Sequence, residues 1–482
     1  MRKTYTIIIG LILSLTSCNN WLDVELDNKV DDDKLFSTAQ GFKEALAGVY
    51  SELSKSDMYG QRLTMEYIDL CAQYYSYSSV SATYEYWKDF DYQNSGVKNT
   101  IASFWSRLYR NIGQLNCILE WTDKNRDVLS ESERNQIRGE ALGLRAYLHF
   151  DLYRLFSPDV KYSPKADGIP YNKEFGVSLP PMYSAEEVVQ LVINDLKEAE
   201  ICLADDPITT VVPYEIKSPV EGGADVVDAA AKDQADQYVA RMNLYGVKAM
   251  LARAYQARGE YTKAIEQAKE VIECGKFRLL DFSSVDQSET NVDLLFSDEH
   301  IFSLRNRELD VYSKNLHQQK VSGGVTTMTP LPFSETSALY ESNNDDVRYA
   351  KWFDLGTFVK FVPDSTNVYS EKMPMIKLSE MYLLIAECAY HTDKETALEY
   401  INELRDHRIR NNQHWTYLTQ NYILEEMKRE YIGEGQLWYV YKRNNFSLPG
   451  HSASGGEIEA SDKIYVFPFP DAEIEDGHRT QR

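Results

Sequence analysis

Basic residues are scarce in this chain. Against 74 aspartates and glutamates stand 51 lysines and arginines, a formal net charge of −23 over 482 residues. Such a surface repels nucleic acid and anionic lipid head groups. No basic stripe offsets it, so no nucleic-acid partner is expected. Cysteine is scarce as well. After Cys18 there are only Cys71, Cys117, Cys202, Cys274 and Cys388, far apart and odd in number. An odd count argues against a complete disulfide framework, and none has metal-ligand spacing. They read as small buried apolar residues. The histidines are scattered, and His407 and His414 have no zinc spacing. Neither a GxSxG nucleophile elbow nor a phosphate loop is present. Residues 343–348 (NNDDVR) lack the ligand series of an EF-hand and read as a turn capped by aspartate. No metal and no cofactor are therefore expected.

Long apolar runs are also missing. The run at residues 6–15 (TIIIGLILSL) falls short of the about 20 residues that span a bilayer. Behind Arg2 and Lys3, and ahead of Leu15-Thr16-Ser17-Cys18, it has the anatomy of an export signal. The thiol directly after two small residues resembles a bacterial lipobox, in which Cys18 is acylated and becomes the first mature residue. Residues 1–17 then form the signal peptide. Residues 18–35, with Asp23, Glu25, Asp27, Asp31, Asp32 and Asp33, form an acidic tether that stays solvated.

What the chain does have is helical periodicity. Helices are predicted over 39–53, 101–121, 131–156, 184–203, 234–274 (two), 379–390, 394–410 and 421–441. Ser130 with Glu133, and Ser184 with Glu187, have capping-box spacing. Short strands are expected at 300–304, 352–359 and 464–467. Residues 249–275 place Ala252, Gly259, Tyr261, Ala264 and Ala268 as a tetratricopeptide hairpin does. Residues 382–405 repeat the scheme with Ala386 and Ala397, one residue closer together. Long irregular segments separate the helices, at 72–99, 157–181, 205–232, 281–299, 306–333 and from 448 onward. The fold class is all-α: a tetratricopeptide-like helical-hairpin scaffold with long ligand-facing loops and a few short strands. A rigid scaffold carrying loops of this length reads as a binding platform.

Six stretches then become specific in their order. They are the lipobox with WLDV (21–24), RGEALGLRAYLHFDLYRLF (138–156), PMIKLSEMYLLIAE (374–387), INELRDHR (401–408), ILEEMKREYIGEGQLW (423–438) and VFPFPDAEIEDG (466–477). Together they resemble the SusD/RagB family of outer-membrane nutrient-binding lipoproteins, over essentially the whole mature chain. The resemblance implies one domain over 36–482, with an N-terminal part at 36–233 and a C-terminal part at 234–482. It also implies four tetratricopeptide-like units and a lid over a SusC-like TonB-dependent transporter. The function it implies is capture of oligosaccharides, or in some members peptides, at the outer face of the outer membrane, held there by the lipid on Cys18. The chain departs from the family pattern at Met427, Leu437 and Val440, where arginine, arginine and aspartate are usual, and in its GHRTQR ending.

The first ligand candidates lie in YYSYSSVSATYEYWKDFDY (74–92), a region that the resemblance places on the ligand side. Tyr84, Tyr86 and Trp87 are read there as mid-loop rings able to stack on the C–H faces of sugars. A second segment, 307–324, offers Tyr312, Asn315, His317 and Gln318. Glu430 and Glu434 are four apart on a predicted helix face. A glycosidase sets its carboxylates about 5–9 Å apart across the scissile bond, usually from different elements, so this pair reads as scaffold. A non-catalytic glycan-binding lipoprotein is the expected function. A peptide-binding member of the family and a surface glycoside hydrolase are the alternatives.

Overall fold

The structure is a computed structural model that describes residues 32–75, 82–176, 179–215, 226–286, 292–318, 320–322, 325–328, 333, 336–362, 371–450, 456–475 and 477. Cys18 and the signal segment lie outside the described residues. Helices of eight residues or more are numbered α1 (Ala39–Leu53), α2 (Ser95–Lys124), α3 (Glu131–Phe156), α4 (Ala185–Cys202), α5 (Ala229–Tyr238), α6 (Leu244–Ala257), α7 (Tyr261–Ile272), α8 (Leu309–His317), α9 (Leu378–Tyr390), α10 (Lys394–Asp406), α11 (Gln420–Glu430) and α12 (Leu437–Asn444). Among the described residues the strands form two-stranded sheets only. The longest joins β1 (His300–Arg305) to β2 (Lys372–Lys377), antiparallel. No helix among them is long and apolar enough to cross a membrane.

The helices pack as a stack of hairpins. α2 lies on α3, α3 on α4, α4 on α6, α6 on α7, α7 on α9, and α9 on α10. Small residues set the approach distance: Ala252, Ala264, Ala268, Ala386 and Ala397 are all fully buried at the crossings. Both tetratricopeptide-like hairpins turn through three residues, 258–260 and 391–393. The one-residue difference in alanine spacing therefore lies in the first helix, not in the turn. Tyr261 opens α7 and stacks on His391 of the next turn, centroids 5.5 Å apart, so the two turns abut. Both expected capping boxes form: Ser130 and Glu133 at α3, Ser184 and Glu187 at α4. The cysteines described are free, three of them buried.

Three expectations change. The helix predicted over 421–441 breaks into α11 and α12 around Gly433 and Gly435, at φ +80° and +67°. A Cβ on Gly433 would meet the Phe361 ring at 2.7 Å, and one on Gly435 the Leu63 carbonyl at 2.7 Å. Their N–H groups donate to the buried Asp69 carboxylate at 2.8 and 3.0 Å. The strand expected at 352–359 is a tight hairpin, Phe353–Asp354 against Thr357–Phe358, turning at Leu355 and Gly356 with φ +46° and +82°. Residues 464–467 begin in a helical turn, Asp462–Tyr465, after which Phe467 N–H donates to the Leu155 carbonyl. The family departures Met427, Leu437 and Val440 are all buried apolar side chains.

A buried ion network closes the C-terminal half. Arg348 reaches Asp346 at 2.8 Å, Glu426 at 2.7 Å and Glu430 at 3.1 Å. Arg408 binds Glu430 and Glu299, Lys377 binds Glu430 and Glu434, and Lys360 binds Glu434, all within 3.0 Å. Arg405 binds Glu426 at 3.0 Å. Five carboxylates thus face five cations, and Arg429, which reaches Glu426 at 3.4 Å and the exposed Glu341 at 2.9 Å, joins from the rim. Burial alone would raise the Glu426 carboxyl, but Arg348, Arg405 and Arg429 outweigh it and hold it down at about 2.

Breaking one partner of a buried pair costs about 3–5 kcal/mol, because it leaves an uncompensated charge. Glu430→Gln is expected to destabilise by that amount, read as a lower midpoint in urea denaturation. Glu426 binds protons less readily folded than unfolded, so its contribution is complete above the ordinary carboxylate range and is lost as pH falls toward about 2. Thermal midpoints measured from pH 6 to pH 3 should therefore fall, and less steeply in Glu426→Gln.

Candidate functional site

Three segments carry the ring positions read from the sequence. The first, 54–66, follows α1 and ends in a π-helical turn, Arg62–Glu66; such turns recur at functional sites. Gly60 lets this segment pass close, since a Cβ there would lie 2.2 Å from the Ser54 carbonyl and 2.8 Å from the Asn306 amide nitrogen. Asn306 in turn donates to the Ser54 carbonyl at 2.9 Å, which fixes the start of the second segment, α8, against the first. The third is a short helix, Ala82–Lys88, that packs on α2.

The sequence-predicted rings separate once placed. Residues 84–87 are helical rather than mid-loop, so Tyr84 and Trp87, three apart, turn to one side and Tyr86 to the other. Trp87 has no solvent exposure; its ring packs on Tyr67 at 4.6 Å, Phe467 at 5.7 Å and Phe104 at 6.4 Å. It is a core residue, which corrects its reading as a surface ring. Tyr86 is 42% exposed. Tyr84 is half-buried and donates its hydroxyl to Glu66 at 2.9 Å. Glu66 also accepts from Gln61 at 2.9 Å, and burial pushes its carboxyl up despite these bonds and the nearby Arg62.

On the second segment, residues 309–317 are helical and not a loop. Tyr312 is half-buried beside Ser56 and Asp57 and donates to Glu308; burial first, then Glu308, pushes its hydroxyl up to about 12. Asn315 is half-buried. His317 is buried, its ring among Tyr75 at 5.7 Å, Phe333 at 5.3 Å and Phe358 at 5.0 Å. That corrects its reading as a loop side chain. Segment 54–66 touches the other two: Asp57 stands by Tyr312, and Glu66 lies under Tyr84. Tyr67, which sequence reasoning passed over, supports the short helix from beneath against Trp87 and Tyr84. Its signal is the helical spacing of Tyr67 with Leu70 and Cys71.

Glu430 and Glu434 are the opposite case. Both are buried and shared among Arg348, Arg408, Lys360 and Lys377, shut away from any polymer outside. Asp346 caps the turn Val347–Trp352 by accepting from Arg348 N–H, as read for residues 343–348. Among the described residues no group of three or more His, Cys, Asp or Glu side chains could hold a metal.

Comparison with known proteins places this scaffold. A family model described as starch-binding, associating with outer membrane, matches residues 20–220, and the SusD family model matches residues 297–476. The chain belongs to the SusD/RagB family. SusD-like protein P38 of Formosa agariphila is 28% identical over 200 residues, 41% of this chain and 36% of that protein. SusD-like protein P2 of the same organism is 24% identical over 284 residues, 56% of this chain and 46% of that protein. The chain thus matches less than half the length of these relatives. Among solved structures, a SusD superfamily protein from Bacteroides thetaiotaomicron superposes with TM-score 0.70 at 20% identity, covering 92% of this chain and 99% of that one. Surface glycan-binding protein A from the same species, in complex with laminarihexaose, superposes with TM-score 0.65 at 15% identity over the same shares. These likenesses show that the SusD fold extends across the chain.

Truncating a buried tryptophan costs about 3–5 kcal/mol, while exposed changes stay within about 0.5 kcal/mol. Trp87→Ala should therefore lower the thermal midpoint sharply and Tyr86→Ala leave it in place, as differential scanning calorimetry would show.

Proposed function

We propose that this SusD/RagB member is a non-catalytic, lipid-anchored receptor that captures oligosaccharide at the outer face of the outer membrane. It then delivers the glycan to a SusC-like TonB-dependent transporter. The observation that carries the binding step is a set of three rings: Tyr84 and Tyr86 on opposite sides of the short helix Ala82–Lys88, and Tyr312 on α8. These are partly exposed rings on elements pinned to the scaffold, with Glu308 and Gln61 beside them to meet sugar hydroxyls, while the buried Glu66 holds Tyr84 in place. Rings already held in place lose little entropy on stacking. Asn315 adds an amide on the α8 side. The description of the family model and the laminarihexaose-bound neighbour support a glycan over a peptide. The neutralised, buried Glu430 and Glu434 speak against glycoside hydrolysis. The lipobox-like sequence at Leu15–Cys18 supports lipid anchoring and placement at the membrane, and the acidic stretch after it would give the domain reach.

Affinity electrophoresis tests the rings. In gels containing laminarin or another retained polysaccharide, Tyr86→Ala and Tyr312→Ala should each weaken retention about tenfold, equivalent to about 1.4 kcal/mol. Parent-like retardation of both variants would remove these rings from the site, and new reducing ends in the incubation would replace capture with cleavage. For the anchor, Cys18→Ala should move the protein from the membrane fraction to the soluble one.

A further inference from the structure

At the junction of the hairpin stack with the C-terminal helices lies a polar cavity of about 50 Å³. It is walled by Arg154 of α3, Arg253 of α6, Tyr431 and Gln436 of the inter-helix turn, and Tyr439 and Arg443 of α12. By the usual measure of about 10–15 Å³ per water, it holds a few waters or one group of acetate or phosphate size, and no sugar ring. The nearby carboxylates are taken: Asp151 by Arg154, Glu380 by Arg253 and Glu387 by Arg443. What faces the space is mostly donors. Tyr431 and Tyr439, 3% and 5% exposed, line it, and neither hydroxyl has a hydrogen-bond partner among the described residues. Arg253 Nη1 has only the Met250 sulfur, at 3.6 Å. Arg154 lies 3.7 Å over the Tyr439 ring and fixes it. Two acids also line it: Glu380, held by Arg253, and Asp159, which accepts from Lys161 N–H at 2.9 Å. The two hydroxyls open onto the cavity without a partner among the described residues, and donors converging on one space call for an acceptor.

We propose that this cavity is a binding site for a small oxyanion, a carboxylate or phosphate group, held by the Tyr431 and Tyr439 hydroxyls with Arg253 and Arg443. A smaller cleft shares Gln256, Ala257 and Arg443 with it and is lined further by Lys161, Tyr261, His391 and Glu387, the last paired with Arg443. A bound anion ties α3, α6 and α12 together, so occupancy stabilises the fold as ligand concentration passes the dissociation constant. The site is separate from the rings of Tyr84, Tyr86 and Tyr312 and does not depend on glycan capture.

Thermal shift on the full chain tests it, in Tris chloride with phosphate, sulfate or acetate added at ionic strength matched by sodium chloride. At least one anion should raise the melting temperature saturably. Tyr431→Phe and Tyr439→Phe keep ring volume and should each raise the half-saturating concentration about tenfold, the weight of a hydrogen bond to a charged group. Excluded salts stabilise proteins generally, so an equal rise in the double variant would reduce the effect to that and overturn the site. No rise above chloride for any of the three anions would leave the cavity to water and overturn it as well.

Discussion

Glu430 sits where five buried carboxylates meet five buried cations, and the position of the short helix Ala82–Lys88 follows from that meeting point. The glutamate ends α11 and receives Arg408 from just beyond α10, Arg348 from the Val347–Trp352 turn and Lys377 from the end of β2. Charges removed from water are tolerable only when paired and hydrogen-bonded. The network therefore admits one arrangement of these elements: a shift by one helical position would strand a guanidinium. Apolar packing alone would tolerate several.

The arrangement is passed on through the backbone. Glu434, four residues after Glu430, is held by Lys360 and Lys377, and this sets the turn between α11 and α12. That turn presents the Gly433 and Gly435 N–H groups to Asp69. Asp69 belongs to the helix Tyr67–Cys71, whose first ring packs on Trp87 and Tyr84. Ionic pairing in the C-terminal half thus reaches the helix of Tyr84 and Tyr86 through one carboxylate and two amides. Gly433 and Gly435 are required by this route because the turn needs positive φ where side chains already fill the space.

Legibility in the sequence followed the range of the interaction. Capping boxes, alanine crossings and the hairpin at Gly259 are local, and they were readable from spacing. The break after Glu430 was not. The periodicity of 423–440 is helical on both sides, and the interruption is written in contacts with Asp69, more than 360 residues away. Among the candidate residues, Tyr86 and Tyr312 were recoverable as ring positions. Trp87 and His317 are buried instead, because their segments read as loops in sequence and fold as helices. A helix over 82–88 puts residue 87 on the side of residue 84, toward α2, and that requires knowing that α2 lies there. The charge network was hidden for the same reason: Arg348, Lys360 and Lys377 look like surface cations until Glu426, Glu430 and Glu434 are brought to them.

The abundance of tyrosine also takes a different meaning from the one composition suggests. Thirty-four tyrosines invite the idea of a surface built to grip. Yet Tyr74, Tyr92, Tyr109, Tyr340 and Tyr465 each aim the hydroxyl at a backbone carbonyl, of Lys428, Ile464, Pro170, Arg429 and Phe446 in turn. Apart from that of Pro170, which closes a short strand, those carbonyls lie in turns or helix ends, where no following helical turn is at hand to satisfy them. A tyrosine supplies a large apolar ring to the core and a donor at its rim, and so fastens irregular chain to a helix without a sheet. In a fold with few paired strands and many long connections, that is one recurrent use of the residue. Other tyrosines, Tyr50, Tyr59, Tyr171 and Tyr382 among them, use the same rim donor on a carboxylate and so tie charged side chains to the core.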